Sequence, residues 1–147
     1  MEIAVLGLGC FWGPEIKFSK LDGVIKTEVG YCGGNNKVTT YKEVCTGTTN
    51  HAEVVKLDFD PKIISYEKIL KFFFEIHDPT TLNSQGPDFG TQYRSEIFYL
   101  NDNQKTIAEK VSHNVNERLQ GKVVTKISLL KNYCPAEEYH QKYLEKR

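Results

Sequence analysis

The stretch "HAEVVKLDFD", residues 51–60, decides the fold because it alternates like a strand with one buried face. Three apolar side chains share that face: Val55, Leu57 and Phe59. Glu53 lies on the same face, and Pro61 ends the run. A carboxyl group buried there without a cation has a raised pKa and is a candidate general acid. If the strand end is open to water, Glu53 is simply solvated.

Helices and strands alternate outward from this strand. The segments predicted as strands are 2–9, 24–34, 51–60, 95–100 and 122–130. The segments predicted as helices are 14–23, 65–79, a stretch stepping from Ile107 to Leu119, and 135–146. This order predicts an α+β fold of one domain, residues 1–147, in which helices pack on a mainly antiparallel or mixed sheet as a two-layer sandwich.

Two long polar segments interrupt that order and are candidates for functional loops. Residues 35–50 contain Tyr41, and residues 80–94 contain Asp88 and Tyr93. Long loops without secondary structure are uncommon in compact domains and are often functional. The tyrosine hydroxyls can donate hydrogen bonds to a substrate oxygen, although surface exposure is the plainer explanation for each residue taken alone.

The stretch "LGLGCFWGPE", residues 6–15, places Cys10 between the first strand and the first helix. A thiol at a helix N-terminus faces free N–H groups and the positive end of the helix dipole, so its pKa is expected to be depressed. The alternative is a small hydrophobe packed in the core. Phe11 and Trp12 follow at once and cannot both face one core, so at least one is expected to line a cleft.

Composition argues against several classes of protein. Lys+Arg and Asp+Glu both number 19, so the net charge is zero and a nucleic-acid-binding surface is not expected. No apolar stretch approaches the roughly 20 residues of a membrane-spanning helix, and no targeting segment is expected. The four cysteines form neither a CxxC pair nor a zinc spacing with histidine. We therefore expect no metal site, reduced thiols and a cytoplasmic location.

Two rival functions start from the same residues. His51 shares the face of Glu53, so a Cys10–His51 nucleophile–base pair of a cysteine hydrolase or acyl transferase is conceivable. A non-catalytic module would instead bind peptides through Phe11 and Trp12. The other histidines fall on predicted helices and have no predicted role: His77, His113 and His140.

Six blocks of the chain resemble the A-type peptide-methionine sulfoxide reductases, in the order of that family and over nearly the whole chain. They are "GCFWG" (9–13), "GYCGG" (30–34), "TYKEVCTG" (40–47), "HAEVV" (51–55), "DFGTQYRS" (88–95) and "AEEYHQKYL" (136–144). The resemblance implies an α+β sandwich around a split β-α-β, ferredoxin-like core. It also implies reduction of the S epimer of methionine sulfoxide, free or in oxidised proteins, with no bound cofactor. We expect a monomer.

The resemblance implies four catalytic residues. Cys10 corresponds to the nucleophile that ends as a sulfenic acid, and Glu53 to the acid that protonates the sulfoxide oxygen. Tyr41 and Tyr93 correspond to hydroxyls that bind this oxygen. These types suit the chemistry, because a sulfoxide sulfur is electrophilic but its oxygen leaves poorly until it is protonated.

The resemblance also implies a substrate pocket. Phe11 and Trp12 correspond to the residues that hold the sulfoxide methyl group, and Asp88 to a polar residue that lines the site. With the methyl pocket and the oxygen donors both fixed, only one epimer presents its sulfur to Cys10.

Regeneration of the thiol has more than one candidate route. Many members of the family carry recycling cysteines beyond the last helix, and this sequence ends at Arg147 without them. Cys32 and Cys134 are the candidate resolving cysteines, the latter at the expected cap of the last helix, whereas Cys45 is expected to be structural. The favoured route is an external thiol reductant: glutathione with glutaredoxin, thioredoxin, or dithiothreitol in vitro.

Overall fold

A computed structural model describes residues 1–35, 39–46 and 49–143. Its strands are β1 (Glu2–Leu8), β2 (Val24–Cys32), β3 (Ala52–Phe59), β4 (Ser84–Gln85), β5 (Asp88–Phe89), β6 (Ser95–Tyr99), β7 (Lys126–Leu129) and β8 (Cys134–Pro135). Its helices are α1 (Trp12–Ser19), α2 (Tyr41–Cys45), α3 (Tyr66–Glu75) and α4 (Asp102–Arg118). Short 3₁₀ turns lie at Thr91–Tyr93 and Glu138–His140.

Six of the strands form a mixed sheet in the order β7-β6-β1-β3-β2-β8. Strands β6 and β7 are parallel, and the other neighbouring pairs are antiparallel. Strands β1 and β2 flank β3 and are joined through α1, while β3 and β6 flank β1 and are joined through the segment that contains α3. The predicted α+β class with a mixed sheet is confirmed, and the ferredoxin-like classification stays a prediction.

The main core lies between one face of the sheet and the helices. Phe18 of α1, Phe73 of α3 and Val111 of α4 meet the strands there. The alternation predicted for β3 is confirmed, because Val55, Leu57 and Phe59 all belong to this core. A smaller cluster contains the residues that alternate with them, on the opposite face of the sheet: Val5, Cys32, Ala52, Val54 and Phe98.

Polar caps set where the helices start. The Ser65 hydroxyl accepts a hydrogen bond from the backbone N–H of Lys68 at 3.1 Å, as expected for the cap of α3. The Asn101 side chain caps α4 in the same way, through the N–H of Gln104 at 2.9 Å. Among the described residues, no helix is both long enough and apolar enough to cross a bilayer.

The predicted helix over 135–146 is wrong for its described part. This segment instead lies along the open edge of β2, where Cys134 pairs with Tyr31. The Gln141 side chain extends the pairing, accepting from the N–H of Val29 and donating to its carbonyl oxygen, both at 2.9 Å. Unpaired backbone groups at a sheet edge need partners, and satisfying them outweighs local helix propensity here. We call residues 134–143 the C-terminal strap.

Candidate active site

A glycine turn brings Cys10 against the β4–β5 hairpin. Gly9 has a φ of +100°, and a Cβ atom added to it would lie 2.9 Å from the side chain of Gln85. Only glycine satisfies both the torsion and the close approach. Asp88 lies on the second strand of the same hairpin, and its charge acts on both Cys10 and Glu53.

Glu53 is buried beside the start of α1. Its side chain accepts a hydrogen bond from the backbone N–H of Phe11 at 3.3 Å through Oε1, while Oε2 has no partner among the described residues. Burial raises the pKa of Glu53 to about 8, partly offset by the Phe11 bond. Its carboxyl group is therefore mostly protonated at neutral pH, and the raised pKa expected from the strand pattern is confirmed.

The depressed pKa expected for Cys10 is wrong. Burial raises the pKa of this thiol to about 11, although the backbone N–H of Trp12 donates a hydrogen bond to the sulfur and lowers it. The charges of Glu53 and Asp88 raise it further. The hydrogen bond from one N–H at the start of α1 lowers the pKa of Cys10 less than desolvation and two neighbouring carboxyl groups raise it.

Tyr41 and Tyr93 come from different loops and meet at Glu53. Their hydroxyls are hydrogen-bonded to each other, and the charge of Glu53 raises the pKa of both in addition to burial, which contributes most. Cys45, four residues later on α2, also raises the pKa of Tyr41. The structure therefore brings a thiol, a protonated carboxyl group and two phenol hydroxyls together.

The buried carboxyl group predicts a pH-dependent stability difference between the native chain and Glu53→Gln. The folded pKa of about 8 exceeds the ordinary value of 4.5 for a glutamate, so the folded state favours the protonated carboxyl group. The stability associated with Glu53 is fully present at acid pH and is lost as the pH rises through 8. Relative to the native chain, Glu53→Gln should gain up to about 5 kcal/mol between acid and alkaline pH.

Urea unfolding at about pH 5 and about pH 9, on either side of the Glu53 pKa, measures this difference. The expected result is that the native chain loses more stability than the variant as the pH increases. An equal change in both proteins would show that Glu53 is not desolvated in the folded state.

Comparison with known proteins assigns the family. The family model described as peptide methionine sulfoxide reductase matches residues 2–147. The chain belongs to this family. The peptide methionine sulfoxide reductase MsrA of Pelagibacter ubique is 86% identical over 147 residues, which are all of this chain and all of that protein.

Solved structures of the yeast protein Mxr1 share the fold. Reduced Mxr1 from Saccharomyces cerevisiae superposes with a TM-score of 0.95 at 42% identity, over 99% of this chain and 85% of that one. Mxr1 in complex with Trx2 superposes with a TM-score of 0.69 at 27% identity, over 97% and 84% of the two chains.

In this reductase the two aromatic residues after Cys10 differ in burial and in their contacts. Phe11 is buried in the main core, with its ring centroid 5.8 Å from that of Tyr31. Trp12 is only partly buried, and its indole N–H donates to Nδ1 of His140 at 3.1 Å. The Trp12 ring also stacks on Tyr143 at 3.8 Å between centroids. Trp12 nevertheless packs against the same core that contains Phe11, so the expectation that the two rings cannot face one core is wrong.

His140 and Tyr143 are site residues that the sequence interpretation missed. His140 was expected on a helix with no role, but its buried ring lies 4.7 Å from that of Tyr41. Because Nδ1 accepts from Trp12, the proton of the neutral ring is on Nε2. Burial lowers the pKa of His140, which favours this neutral form. The signal was present in the block "AEEYHQKYL", since both residues lie inside it.

Of the two candidate resolving cysteines, Cys134 is not placed as expected, whereas Cys32 lies in the predicted strand. Cys134 lies in β8 rather than at a helix cap, because the last helix does not form there, and its buried thiol is 3.7 Å from the carbonyl oxygen of Thr39. Cys32 is fully buried on the face of the sheet opposite the main core. Neither the strand pairing nor the sheet face could be read from the cysteine spacing.

His51 is tightly enclosed. A Cβ atom added to Gly34 would lie 2.1 Å from its Nδ1, so the backbone of Gly34 packs directly against the ring. The family assignment also speaks against the rival hydrolase that would pair His51 with Cys10. Among the residues that the structure describes, no group of three or more His, Cys, Asp or Glu side chains is arranged to hold a metal ion.

Proposed function

We propose that this protein reduces the S epimer of methionine sulfoxide to methionine with Cys10 as the nucleophile. The observation that carries the proposal is the Glu53 carboxyl group, whose pKa of about 8 keeps it protonated beside the thiol. A sulfoxide requires a nucleophile at its sulfur and an acid at its oxygen. Oε2 of Glu53, which has no hydrogen-bond partner among the residues that the structure describes, is the atom available to protonate the sulfoxide oxygen.

The reaction balances with these groups alone. Cys10 gives up its thiol proton and bonds to the sulfoxide sulfur, while Glu53 gives a proton to the sulfoxide oxygen. The sulfur–oxygen bond and the new sulfur–sulfur bond then break as the hydroxyl moves to the Cys10 sulfur, so that methionine leaves and Cys10 becomes a sulfenic acid. The proton that the thiol gave up restores Glu53. Tyr41 and Tyr93 stabilise the charge that develops on the oxygen.

Selectivity for one epimer follows from three fixed contacts. Phe11 and Trp12 form the apolar side of the site, and His140 with Tyr143 fixes the indole ring of Trp12. The oxygen donors lie at Glu53, and Asp88 completes the polar side. A chiral sulfur that satisfies the methyl pocket and the oxygen donors presents its electrophilic face to Cys10 in only one configuration.

An external thiol reductant completes the cycle. The Mxr1–Trx2 complex supports this assignment, since it shows a relative bound to a thioredoxin. Thioredoxin, glutaredoxin with glutathione, or dithiothreitol in vitro fits the chemistry, because each supplies a thiolate. We further infer that the protein is a monomer of the cytoplasm that acts on free or protein-bound methionine sulfoxide.

The decisive experiment is dithiothreitol-driven reduction of the two separated epimers, followed by mass spectrometry of methionine. The S epimer should be consumed and the R epimer left, and Cys10→Ser should abolish the reaction. Persistence of the S epimer would refute the proposal. Peptide binding that survives in Cys10→Ser without any turnover would favour the non-catalytic alternative.

A further inference from the structure

Helix α2, which carries Tyr41, has little packing of its own. It has five residues, of which Val44 is the buried one. Its cap is the Thr40 side chain, which accepts from the N–H of Glu43 at 3.3 Å in contact with solvent. A helix of this length is not stable by itself in water. The position of the Tyr41 hydroxyl therefore depends on contacts with other parts of the chain.

The half-buried Glu137 side chain of the C-terminal strap makes two such contacts. Its Oε2 accepts a hydrogen bond from the backbone N–H of Tyr41 at 3.0 Å, at the first residue of α2. Its Oε1 accepts from the hydroxyl of Tyr31 at 2.8 Å. Hydrogen bonds to an ionised carboxylate are stronger than bonds between neutral groups. One carboxylate therefore bridges the start of α2 and a side chain of β2.

Tyr31 is a rigid anchor for this bridge. It is fully buried in the main core, and in the pairing of β2 with β3 it lies directly opposite Glu53. Residues directly opposite each other in a ladder point to the same face of the sheet. The Tyr31 hydroxyl thus holds the Glu137 carboxylate at a fixed point on the face of the sheet that carries the general acid.

The backbone of Glu137 belongs to the turn that supports the methyl side of the site. The N–H of the preceding residue, Ala136, donates to the carbonyl oxygen of Val29 at 2.9 Å. The carbonyl oxygen of Glu137 accepts from the N–H of His140, also at 2.9 Å. His140 in turn accepts the indole N–H of Trp12. Glu137 therefore connects the oxygen-binding side of the site to the strap that fixes the methyl pocket.

We propose that Glu137 is a positioning residue, which fixes the Tyr41 hydroxyl relative to the pocket formed by Trp12. This inference rests on the proposed reductase function. Glu137 acts through the backbone of Tyr41 and not on the sulfoxide itself. A shift of about 1 Å in a positioned group is enough to weaken its effect on the transition state. The contribution of Glu137 is therefore geometric, and it depends on the length of the side chain more than on its charge.

Two conservative variants separate length from charge. In Glu137→Gln the amide oxygen can accept from the Tyr41 N–H, and the amide nitrogen can donate to the Tyr31 oxygen, because a phenol hydroxyl also accepts. Its kcat should stay close to the native value. Glu137→Asp keeps the charge but is one methylene shorter, so it cannot reach both groups. Its kcat for the S epimer should fall about three- to tenfold, with KM unchanged.

The Tyr41→Phe background tests whether the effect passes through Tyr41. In that background Glu137→Asp should cost no further activity, because the hydroxyl that it positions is absent. A loss caused only by a smaller folded fraction would persist there, and urea unfolding of each variant measures that fraction independently. Losses that multiply in the double variant would overturn the positioning role, as would a fall in Glu137→Gln equal to that in Glu137→Asp.

Glu28→Asp is the matched control. Glu28 is another half-buried glutamate of this region, and it accepts from the hydroxyl of Tyr133 at 2.5 Å, but Tyr133 packs on the smaller cluster across the sheet. Its kcat should not change, and a fall equal to that in Glu137→Asp would overturn the proposal.

Methionine release with dithiothreitol separates the two proposals. If the native chain releases methionine and Glu137→Asp does so equally fast, only the positioning role fails. If the native chain releases none, the reductase function fails.

Discussion

Replacing Glu53 by glutamine should lower kcat/KM for S-methionine sulfoxide by about 10²- to 10⁴-fold, the range for loss of a positioned general acid. Glutamine keeps the shape of the side chain and can accept the Phe11 N–H bond of 3.3 Å. It cannot transfer a proton to the sulfoxide oxygen. Steady-state kinetics with dithiothreitol as reductant measure this loss.

The same variant should have a more easily ionised Cys10. The charge of Glu53 is one of the causes that raise the pKa of the thiol to about 11, so its removal lowers that pKa. Alkylation of Cys10 by iodoacetamide, followed over pH values up to the Cys10 pKa, reports the shift. A variant with a more reactive thiol and much less reductase activity separates proton delivery from nucleophile activation.

Glu15→Gln is the control for this experiment. Glu15 is also a buried carboxylate, but it accepts hydrogen bonds from Thr27 and from the backbone N–H of Lys142 rather than facing Cys10. Its substitution should leave the alkylation profile of Cys10 unchanged. If alkylation and kcat/KM fell together in Glu53→Gln, the carboxyl group would act on the thiol and not on the substrate oxygen.

Local sequence patterns predicted the parts of the site that depend on one strand or one turn. Alternation in β3 is enough to place Glu53 on the buried face, and burial of a carboxyl group then sets the direction of its pKa. The stretch of residues 6–15 similarly predicted a turn that places the Cys10 thiol between a strand and a helix. These features require no knowledge of what packs against them.

Features that depend on distant partners could not be predicted in this way. The pKa of Cys10 depends on burial and on Asp88, which belongs to a hairpin nearly 80 residues later. The pattern of residues 135–146 predicts a helix. In the structure Gln141 instead hydrogen-bonds to the backbone of Val29 at the open edge of β2. Glu53 acts on the hydroxyls of Tyr41 and Tyr93, which belong to segments about 50 residues apart in the sequence.

The two tyrosines should contribute unequally, with Tyr93→Phe lowering kcat/KM about 10²-fold and Tyr41→Phe no more than about tenfold. Their mutual hydrogen bond raises the pKa of Tyr41 and lowers that of Tyr93, as expected when Tyr41 donates and Tyr93 accepts. Gln92 likewise lowers the pKa of Tyr93, the direction expected when the phenol oxygen is the acceptor. Its own O–H therefore remains available to the substrate oxygen.

A double-mutant cycle tests this direction of the hydrogen bond. If Tyr41 acts through Tyr93, the double variant Tyr41→Phe/Tyr93→Phe should lose about as much kcat/KM as Tyr93→Phe alone. Once the Tyr93 hydroxyl is gone, the hydrogen bond from Tyr41 has no acceptor and its loss costs nothing further. Tyr66→Phe is the control, since its buried hydroxyl has no partner among the described residues and lies on α3. If the double variant instead lost kcat/KM by the product of the two single losses, both hydroxyls would donate directly to the sulfoxide oxygen. A larger loss in Tyr41→Phe would reverse the assigned direction, and the proton facing the substrate would then belong to Tyr41.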